Sequence, residues 1–282
     1  MDRLRYLLAL SRPRFWLYLA GPVIVGVTFG AREPAMLFST PAVVLFLYFL
    51  IPGNVLLYGI NDVFDADIDV TNPKKDEGAR EVRYQGDRTV LAAITLATLI
   101  GMAVTGYVAT ITVAAVPWLI GFFALAIAYS TPPIRFKTTP LLDSLSNGLY
   151  ILPGIAAYVT LVGQQPPLAG IIGGLFWTMG MHTFSAIPDI EPDRQAGIDT
   201  TATWLGERRT YAYCAVVWLA SAAAFATLST RLGVAMLVYP LFVLSVAGTD
   251  IAVDRAYWWF PALNTLMGMA ITMGGLWRLV HG

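Results

Sequence analysis

Residues 61–69 read Asn61-Asp62-Val63-Phe64-Asp65-Ala66-Asp67-Ile68-Asp69, and they come directly after an apolar run at residues 41–60. Asn61, Asp65 and Asp69 are spaced four residues apart, so they share one face if the apolar run continues as a helix. Like charges at this spacing destabilise an isolated helix, whereas a divalent cation removes the conflict, because Mg²⁺ takes hard oxygen ligands. The stretch therefore predicts a metal site at the end of an apolar helix.

A second acidic cluster lies at residues 189–193, Asp189-Ile190-Glu191-Pro192-Asp193, after another apolar run at residues 168–188. Its two aspartates again have i, i+4 spacing, and Pro192 suits the first turn of a new helix or an extended ligand loop better than a helix interior. Solvated loop charges at helix ends are the alternative interpretation. Two clusters that each follow an apolar span favour function, because ionisable groups at membrane depth are usually functional. Together they predict bound Mg²⁺ that bridges to the phosphates of an anionic substrate.

Nine apolar runs approach the roughly 20 residues that a helix needs to cross a membrane. They lie at residues 15–31, 41–60, 90–109, 112–129, 147–163, 168–188, 211–229, 233–249 and 257–279. None of them alternates with the period of two that is typical of a membrane β-strand. The chain is 57 % apolar and only 13 % charged, about half the usual charged fraction. We therefore predict an all-α membrane protein with nine transmembrane helices in a single domain, residues 1–282.

The positive charges predict how the chain is oriented in the membrane. Fifteen of the 18 Lys and Arg residues lie at the N-terminus or in the loops that follow even-numbered predicted spans. This bias places the N-terminus and both acidic clusters on the cytoplasmic side of a multi-pass cell-membrane protein. The formal net charge is zero, which gives no basic surface for nucleic acid. A single cysteine, Cys214, excludes an internal disulfide framework and a four-cysteine zinc site.

An anionic substrate held by metal ions also needs cationic side chains near the acidic clusters. The candidates for binding a diphosphate are Lys74, Arg80, Arg135, Lys137 and Arg194. For Arg135 and Lys137 the alternative is that they only set the topology. Tyr129 precedes Ser130-Thr131-Pro132-Pro133, where proline ends the fourth span. The Tyr129 ring is expected to face the site or to anchor the membrane interface.

Two further polar groups have weaker functional claims. His182 lies seven residues before Asp189, which is two helical turns away on the same face. It is interpreted as a proton acceptor or as a hydrogen-bonded packing histidine. Asp143, Ser144 and Asn147 precede the fifth span and are interpreted as a helix cap or as a polar wall of the site.

The two acidic motifs resemble those of the UbiA superfamily of intramembrane prenyltransferases. The family pattern N-D-x-x-D-x-x-x-D matches residues 61–69, the pattern D-x-x-x-D matches residues 189–193, and residues 129–137 are similar to a tyrosine–lysine loop with longer spacing. The resemblance implies nine helices around a central cavity, with two Mg²⁺ ions. The implied metal ligands are Asn61, Asp62, Asp65, Asp69, Asp189 and Asp193. The implied catalytic residues are Asp65, Asp69, Asp189, Asp193 and Tyr129, and Asn61 also contributes to diphosphate binding.

Four stretches are similar to the lycopene elongase branch of this superfamily: residues 11–16, 58–65, 129–137 and 182–189. That resemblance implies transfer of a prenyl group from an allylic diphosphate, dimethylallyl diphosphate, to an apolar isoprenoid acceptor, lycopene, in the synthesis of C50 carotenoids. Another acceptor, such as an aromatic compound, a quinone precursor or a lipid, stays open. A membrane transporter is a distant alternative, because transporters place ionisable residues near the bilayer midplane, whereas most acidic residues here lie in two loops.

Overall fold

The structure is a computed structural model that describes residues 3–65, 84, 86–249 and 251–281, with side chains from Tyr6 onward. Every regular element in this described part of the chain is helical, which confirms the predicted all-α class. In chain order the α-helices are α1 (Arg3–Leu10), α2 (Trp16–Gly30), α3 (Thr40–Leu50), α4 (Pro52–Phe64), α5 (Arg88–Ile111), α6 (Val116–Ser130), α7 (Leu142–Leu145), α8 (Leu152–Val162), α9 (Leu168–Ser185), α10 (Ile190–Gln195), α11 (Thr201–Leu205), α12 (Glu207–Ala226), α13 (Thr230–Met236), α14 (Val238–Ala247) and α15 (Val253–His281).

The described residues fall into two compact units. The first is drawn from Met1–Ile134, Leu152–Gln165 and Thr272–Gly282, and the second from Arg135–Ile151 and Pro166–Ile271. The first acidic motif therefore belongs to the first unit and the second acidic motif to the second unit. The assignment of residues 1–282 to a single domain stays a prediction.

Five helical stretches in the described part are long and apolar enough to cross a membrane. They are Thr40–Phe64, Arg88–Ile111, Val113–Ser130, Leu142–Val162 and Thr230–Ala247. Each coincides with one of the predicted spans. The stretch Thr40–Phe64 is interrupted at Ile51, between α3 and α4, where Pro52 follows. These helices confirm several membrane spans, whereas the count of nine and the cytoplasmic N-terminus stay predictions.

The first unit is held together by close helix contacts at small residues. A Cβ atom at Gly26 on α2 would collide with the carbonyl oxygen of Gly154 on α8, so the two backbones touch. Such glycine contacts are typical of membrane helix interfaces, where packing replaces the hydrophobic effect between helices. Farther along the unit, the fully buried rings of Phe49 and Phe122 meet edge to face with centroids 5.0 Å apart.

The second unit packs α9 against α12. A Cβ atom at Gly180 would lie 2.5 Å from Nε1 of Trp218, so this position admits only glycine without a shift of the indole. The same indole nitrogen donates a hydrogen bond to the carbonyl oxygen of Trp177 at 3.1 Å. Phe184, one turn beyond Gly180, is completely buried against Phe260 with centroids 5.2 Å apart. These contacts fix the end of α9, from which the second acidic motif follows.

Candidate active site

The first acidic motif lies at the C-terminal end of α4. Asn61 and Asp62 belong to the last turn, and the backbone N–H of Asp65 donates to the carbonyl oxygen of Asn61 at 3.0 Å. Asp62 is 3 % exposed and Asp65 is 8 % exposed, although both are acidic. The side-chain oxygen of Asn61 accepts a hydrogen bond of 2.9 Å from the buried Ser130 hydroxyl at the end of α6. Two helix ends of the first unit thus hold this motif.

Arg12 supplies a cation to the first motif. Its guanidinium lies 2.9 Å from the carboxylate of Asp62 and 4.7 Å from the centroid of the Tyr58 ring. A buried carboxylate is costly unless it is paired, so this ion pair explains how Asp62 can lie inside the unit. Burial and the negative charges of Asp87 and Asp62 raise the pKa of the Tyr6 hydroxyl on α1. Helix α1 therefore lies near the same acidic group.

The remaining predicted residues of this region have different outcomes. Asp69, Lys74 and Arg80 lie outside the described residues, so their roles stay predictions. Tyr129 is half-buried and precedes Ser130, the residue that contacts Asn61. Whether the Tyr129 ring faces the site or anchors the membrane interface stays a prediction.

Arg135 and Lys137 belong to the second unit, at its first described turn. Lys137 lies in a 3₁₀ turn, Phe136–Thr138, and both cationic side chains are half-buried. Arg135 adopts a positive φ of 40°, which is uncommon for a residue with a side chain. The choice between a role in diphosphate binding and a role in topology stays open for both residues.

The second acidic motif surrounds the short helix α10. A 3₁₀ turn, Ile187–Asp189, leads into it, and Pro192 lies in its first turn as predicted. Asp189 and Asp193 are half-buried, whereas Glu191 between them is exposed. The i, i+4 pair thus faces the unit while Glu191 faces away. Arg194 is exposed, and its guanidinium donates to the carbonyl oxygen of Thr203 at 2.9 Å.

Asp143 has a role that sequence reasoning missed. Its carboxylate is completely buried and accepts hydrogen bonds from the backbone N–H and the hydroxyl of Thr201. The same carboxylate lies 3.6 Å from Nε2 of His182. Asp143 does not cap its own helix, because Leu141 is the N-cap residue of α7; its carboxylate instead accepts from the first backbone N–H of α11. The available signal was an ionisable residue at the start of an apolar span.

The donor atoms fit a hard divalent cation. Asn61 and the aspartates of both motifs offer oxygen atoms alone, which is the ligand set of Mg²⁺ and not that of a thiolate-bound metal. Within the described ranges, no three His, Cys, Asp or Glu side chains converge on one point.

Membrane-length apolar helices that carry buried carboxylates at their ends define a multi-pass membrane protein with an acidic site. The family model described as the UbiA prenyltransferase family matches residues 19–275. The chain therefore belongs to the UbiA prenyltransferase family, and it is a prenyltransferase, as the sequence motifs predicted.

Curated relatives extend over nearly the whole chain. A lycopene elongase/hydratase from Haloferax volcanii is 58 % identical over 281 residues, which cover 100 % of this chain and 92 % of the relative. A lycopene elongase/hydratase from Halobacterium salinarum is 59 % identical over 278 residues, with 99 % of both chains covered. The predicted similarity to the lycopene elongase branch is confirmed.

The fold is also that of solved UbiA homologues. A homologue from Archaeoglobus fulgidus bound to DMAPP and Mg²⁺ superposes with a TM-score of 0.74 at 20 % identity, covering 98 % of this chain and 100 % of the other. The same homologue bound to GPP and Mg²⁺ gives a TM-score of 0.71 at 21 % identity, covering 95 % of this chain and 99 % of the other. At these identities the likeness shows the fold.

Proposed function

We propose that this prenyltransferase moves a dimethylallyl group from dimethylallyl diphosphate to lycopene in the synthesis of C50 carotenoids. The names of the relatives from Haloferax volcanii and Halobacterium salinarum support the acceptor. The bound ligands of the Archaeoglobus fulgidus homologue support an allylic diphosphate and Mg²⁺. The observation that carries the proposal is the pair of buried carboxylates, Asp62 and Asp65, at the end of a membrane-length helix.

The proposed metal ligands are those that the two motifs supply. Asn61, Asp65, Asp69, Asp189 and Asp193 would hold two Mg²⁺ ions, with Asp62 in a supporting role. The Arg12 ion pair favours that supporting role, because it already compensates the Asp62 carboxylate. When bound, the ions would supply positive charge that stabilises the leaving diphosphate.

The chain's own cations would complete the diphosphate site. The remaining diphosphate oxygen atoms would be bound by cationic side chains, with Tyr129 beside them. These side chains are Lys74, Arg80, Arg135, Lys137 and Arg194. The bond between the allylic carbon and the diphosphate oxygen breaks, and its electron pair leaves with the diphosphate. Preorganised cations favour this step because negative charge develops on the leaving group. The π bond of the acceptor then attacks the allylic carbon, and the product cation loses a proton, either directly or after it has captured a water molecule.

The proposal also includes an arrangement in the membrane. One domain of nine helices would surround a central cavity that an apolar acceptor enters from the bilayer. Both acidic motifs and the N-terminus would face the cytoplasm, since fifteen of the 18 Lys and Arg residues lie at the N-terminus or in the loops assigned to that side.

A reconstitution assay tests the proposed reaction. Purified protein in lipid vesicles is incubated with lycopene, dimethylallyl diphosphate and Mg²⁺, and the products are separated and weighed by mass spectrometry. We expect carotenoids heavier than lycopene by one and two C5 units, with or without added water. Transfer to 4-hydroxybenzoate or another aromatic acceptor, with lycopene unchanged, would overturn the acceptor assignment. Uptake of the diphosphate into vesicles without any transfer product would favour a transporter.

A further inference from the structure

One buried carboxylate contacts both ends of the segment that carries the second acidic motif. We define the second acidic segment as residues 186–200. His182 lies in the last turn of α9, just before this segment, and its Nε2 lies 3.6 Å from Oδ2 of Asp143. Thr201 follows the segment, and its backbone N–H donates to the same Oδ2 at 3.0 Å. Its hydroxyl donates to the other oxygen, Oδ1.

The Asp143 carboxylate is held in a single orientation. The residue is completely buried, and a charge in that position must be compensated by hydrogen bonds or an ion pair. Both carboxylate oxygens accept from Thr201, and His182 lies beside one of them. Because each oxygen is engaged, rotation of the side chain would break contacts to both ends of the segment.

The backbone that carries Asp143 is itself fixed to α9. The hydroxyl of its neighbour Ser144 accepts from Thr183 at 2.9 Å and lies within 3.2 Å of the carbonyl oxygen of Met179, to which it can donate. The Asn147 side chain donates to the carbonyl oxygen of Asp143 at 2.5 Å. Asp143 therefore projects from an anchored turn.

The second acidic segment also has contacts of its own. The backbone N–H of Ile198 donates to the carbonyl oxygen of Asp193 at 2.8 Å, which closes the turn after α10. Arg194 contacts Thr203 beyond the segment at 2.9 Å. In addition to these local contacts, Asp143 holds the residues that flank the segment, His182 before it and Thr201 after it.

We propose that Asp143 is a positioning residue for Asp189 and Asp193, because it fixes the separation of the two ends of the second acidic segment. An effect of Asp143 on catalysis rests on the proposed function, in which Asp189 and Asp193 bind metal and diphosphate. Asp143 itself is not proposed as a ligand of the metal or of the diphosphate. Partners of this kind, which orient a ligating side chain, typically change metal affinity by roughly 10- to 100-fold when they are removed.

Two variants test the role, with a matched control from the same unit. Asp143→Asn removes the charge beside His182. Thr201→Val removes the hydroxyl that donates to Asp143 and accepts from the backbone N–H of Leu141, with little change of shape. Ser221→Ala is the control, because its equally buried hydroxyl on α12 donates to the carbonyl oxygen of Gly173 at 2.7 Å, in the first half of α9 and well before His182. Hydrogen exchange is measured on the full-length protein in detergent, together with Mn²⁺ binding by electron paramagnetic resonance in the absence of substrate.

We expect amides of residues 186–200 to exchange at least about fivefold faster in both test variants, with α12 unchanged. Mn²⁺ affinity should fall by roughly tenfold, and the Mg²⁺ concentration for half-maximal transfer should rise in parallel. Ser221→Ala should leave the exchange of residues 186–200 and the Mn²⁺ affinity as in the wild type.

Wild-type exchange at residues 186–200 in both test variants would overturn the proposal. Faster exchange without any loss of Mn²⁺ affinity would also overturn it, because Asp143 would then be a purely structural residue. A wild-type protein that lacks metal-dependent transfer would overturn the proposed function instead, and the exchange pattern would still decide whether Asp143 tethers the segment.

Discussion

The two acidic motifs are held in different ways. In the first, Asp62 and Asp65 are buried at the end of a membrane-length helix, and Arg12 contacts Asp62 directly. In the second, Asp189 and Asp193 are half-buried around a six-residue helix, and the contacts to Asp143 lie outside the segment. The first motif is therefore part of a packed helix end, whereas the second lies on a short helix whose flanking residues, His182 and Thr201, contact Asp143.

This difference matches two different demands on acidic side chains. Buried carboxylates need compensation within the protein, since an isolated charge in a low-dielectric interior is costly. Half-buried carboxylates keep part of their solvation and remain accessible to a ligand. We infer that changes in the first motif affect stability and activity together, while changes in the second affect activity with a smaller effect on stability.

The largest expected effect is the loss of turnover when either motif loses one of its proposed metal-binding carboxylates. Asp65→Ala and Asp189→Ala should each lower the rate of prenyl transfer by about a thousandfold, because the charge on the leaving diphosphate is no longer stabilised. Product formation in vesicles measures this. Glu191→Ala, at an exposed neighbour of Asp189, is the control and should retain wild-type activity. Normal transfer by either aspartate variant would refute the metal assignment.

Changes in the two motifs should raise the Mg²⁺ requirement of the reaction by different amounts. We expect EDTA to stop transfer and Mg²⁺ to restore it. Asp193→Asn should raise the Mg²⁺ concentration for half-maximal activity by roughly tenfold. Asp62→Asn should raise it less, because Asp62 already has the Arg12 guanidinium as a partner. Full activity after thorough chelation would contradict the mechanism, and equal shifts for the two variants would contradict the division of roles.

The Arg12–Asp62 pair should dominate the stability of the first motif. Arg12→Leu leaves a buried carboxylate without this cation, so the free energy of unfolding should fall by about 3 kcal/mol. Adding Asp62→Asn should recover part of the loss, because the second change removes the uncompensated charge. Thermal unfolding in detergent measures both variants. A double variant less stable than Arg12→Leu would show that the pair is not the main contact of either side chain.

The smallest effect should come from the hydroxyl that contacts Asn61. Ser130→Ala removes a part-buried hydrogen bond of 2.9 Å to the Asn61 side chain, so unfolding should become easier by about 1 kcal/mol. The KM for the allylic diphosphate should rise severalfold, since the Asn61 oxygen loses its fixed orientation. Ser221→Ala removes a buried hydrogen bond elsewhere and should lower stability without changing KM. A Ser130→Ala variant with unchanged KM would argue against Asn61 as a ligand.

Local patterns in the sequence were sufficient for the helical class and the family. Apolar runs predicted the membrane-length helices, and Pro192 correctly predicted the start of α10. The spacing of the first motif predicted one helical face through residues 61–69, but α4 ends at Phe64 and Asp65 already has non-helical geometry. Asp69 lies outside the described residues, so the shared face stays a prediction.

Local sequence patterns could not predict contacts between residues that are distant in the chain. Arg12 and Asp62 are 50 residues apart, and Asp143 and Thr201 are 58 residues apart. Periodicity and spacing report only on neighbours within a few turns. Arg12 was counted among the positive charges that set the topology, and Asp143 was interpreted as a helix cap or as a polar wall of the site. Neither interpretation identified a distant partner.

The backbone at Arg12 adopts φ 48° and ψ 72°, a left-handed conformation that non-glycine residues adopt at a cost of roughly 1–2 kcal/mol. Glycine would relieve this strain, but it would also delete the guanidinium. The chain at this point thus tolerates an unfavourable main-chain geometry in return for a side chain aimed at a carboxylate. Any redesign that relaxes the turn for thermostability is therefore expected to loosen the acidic helix end at the same time.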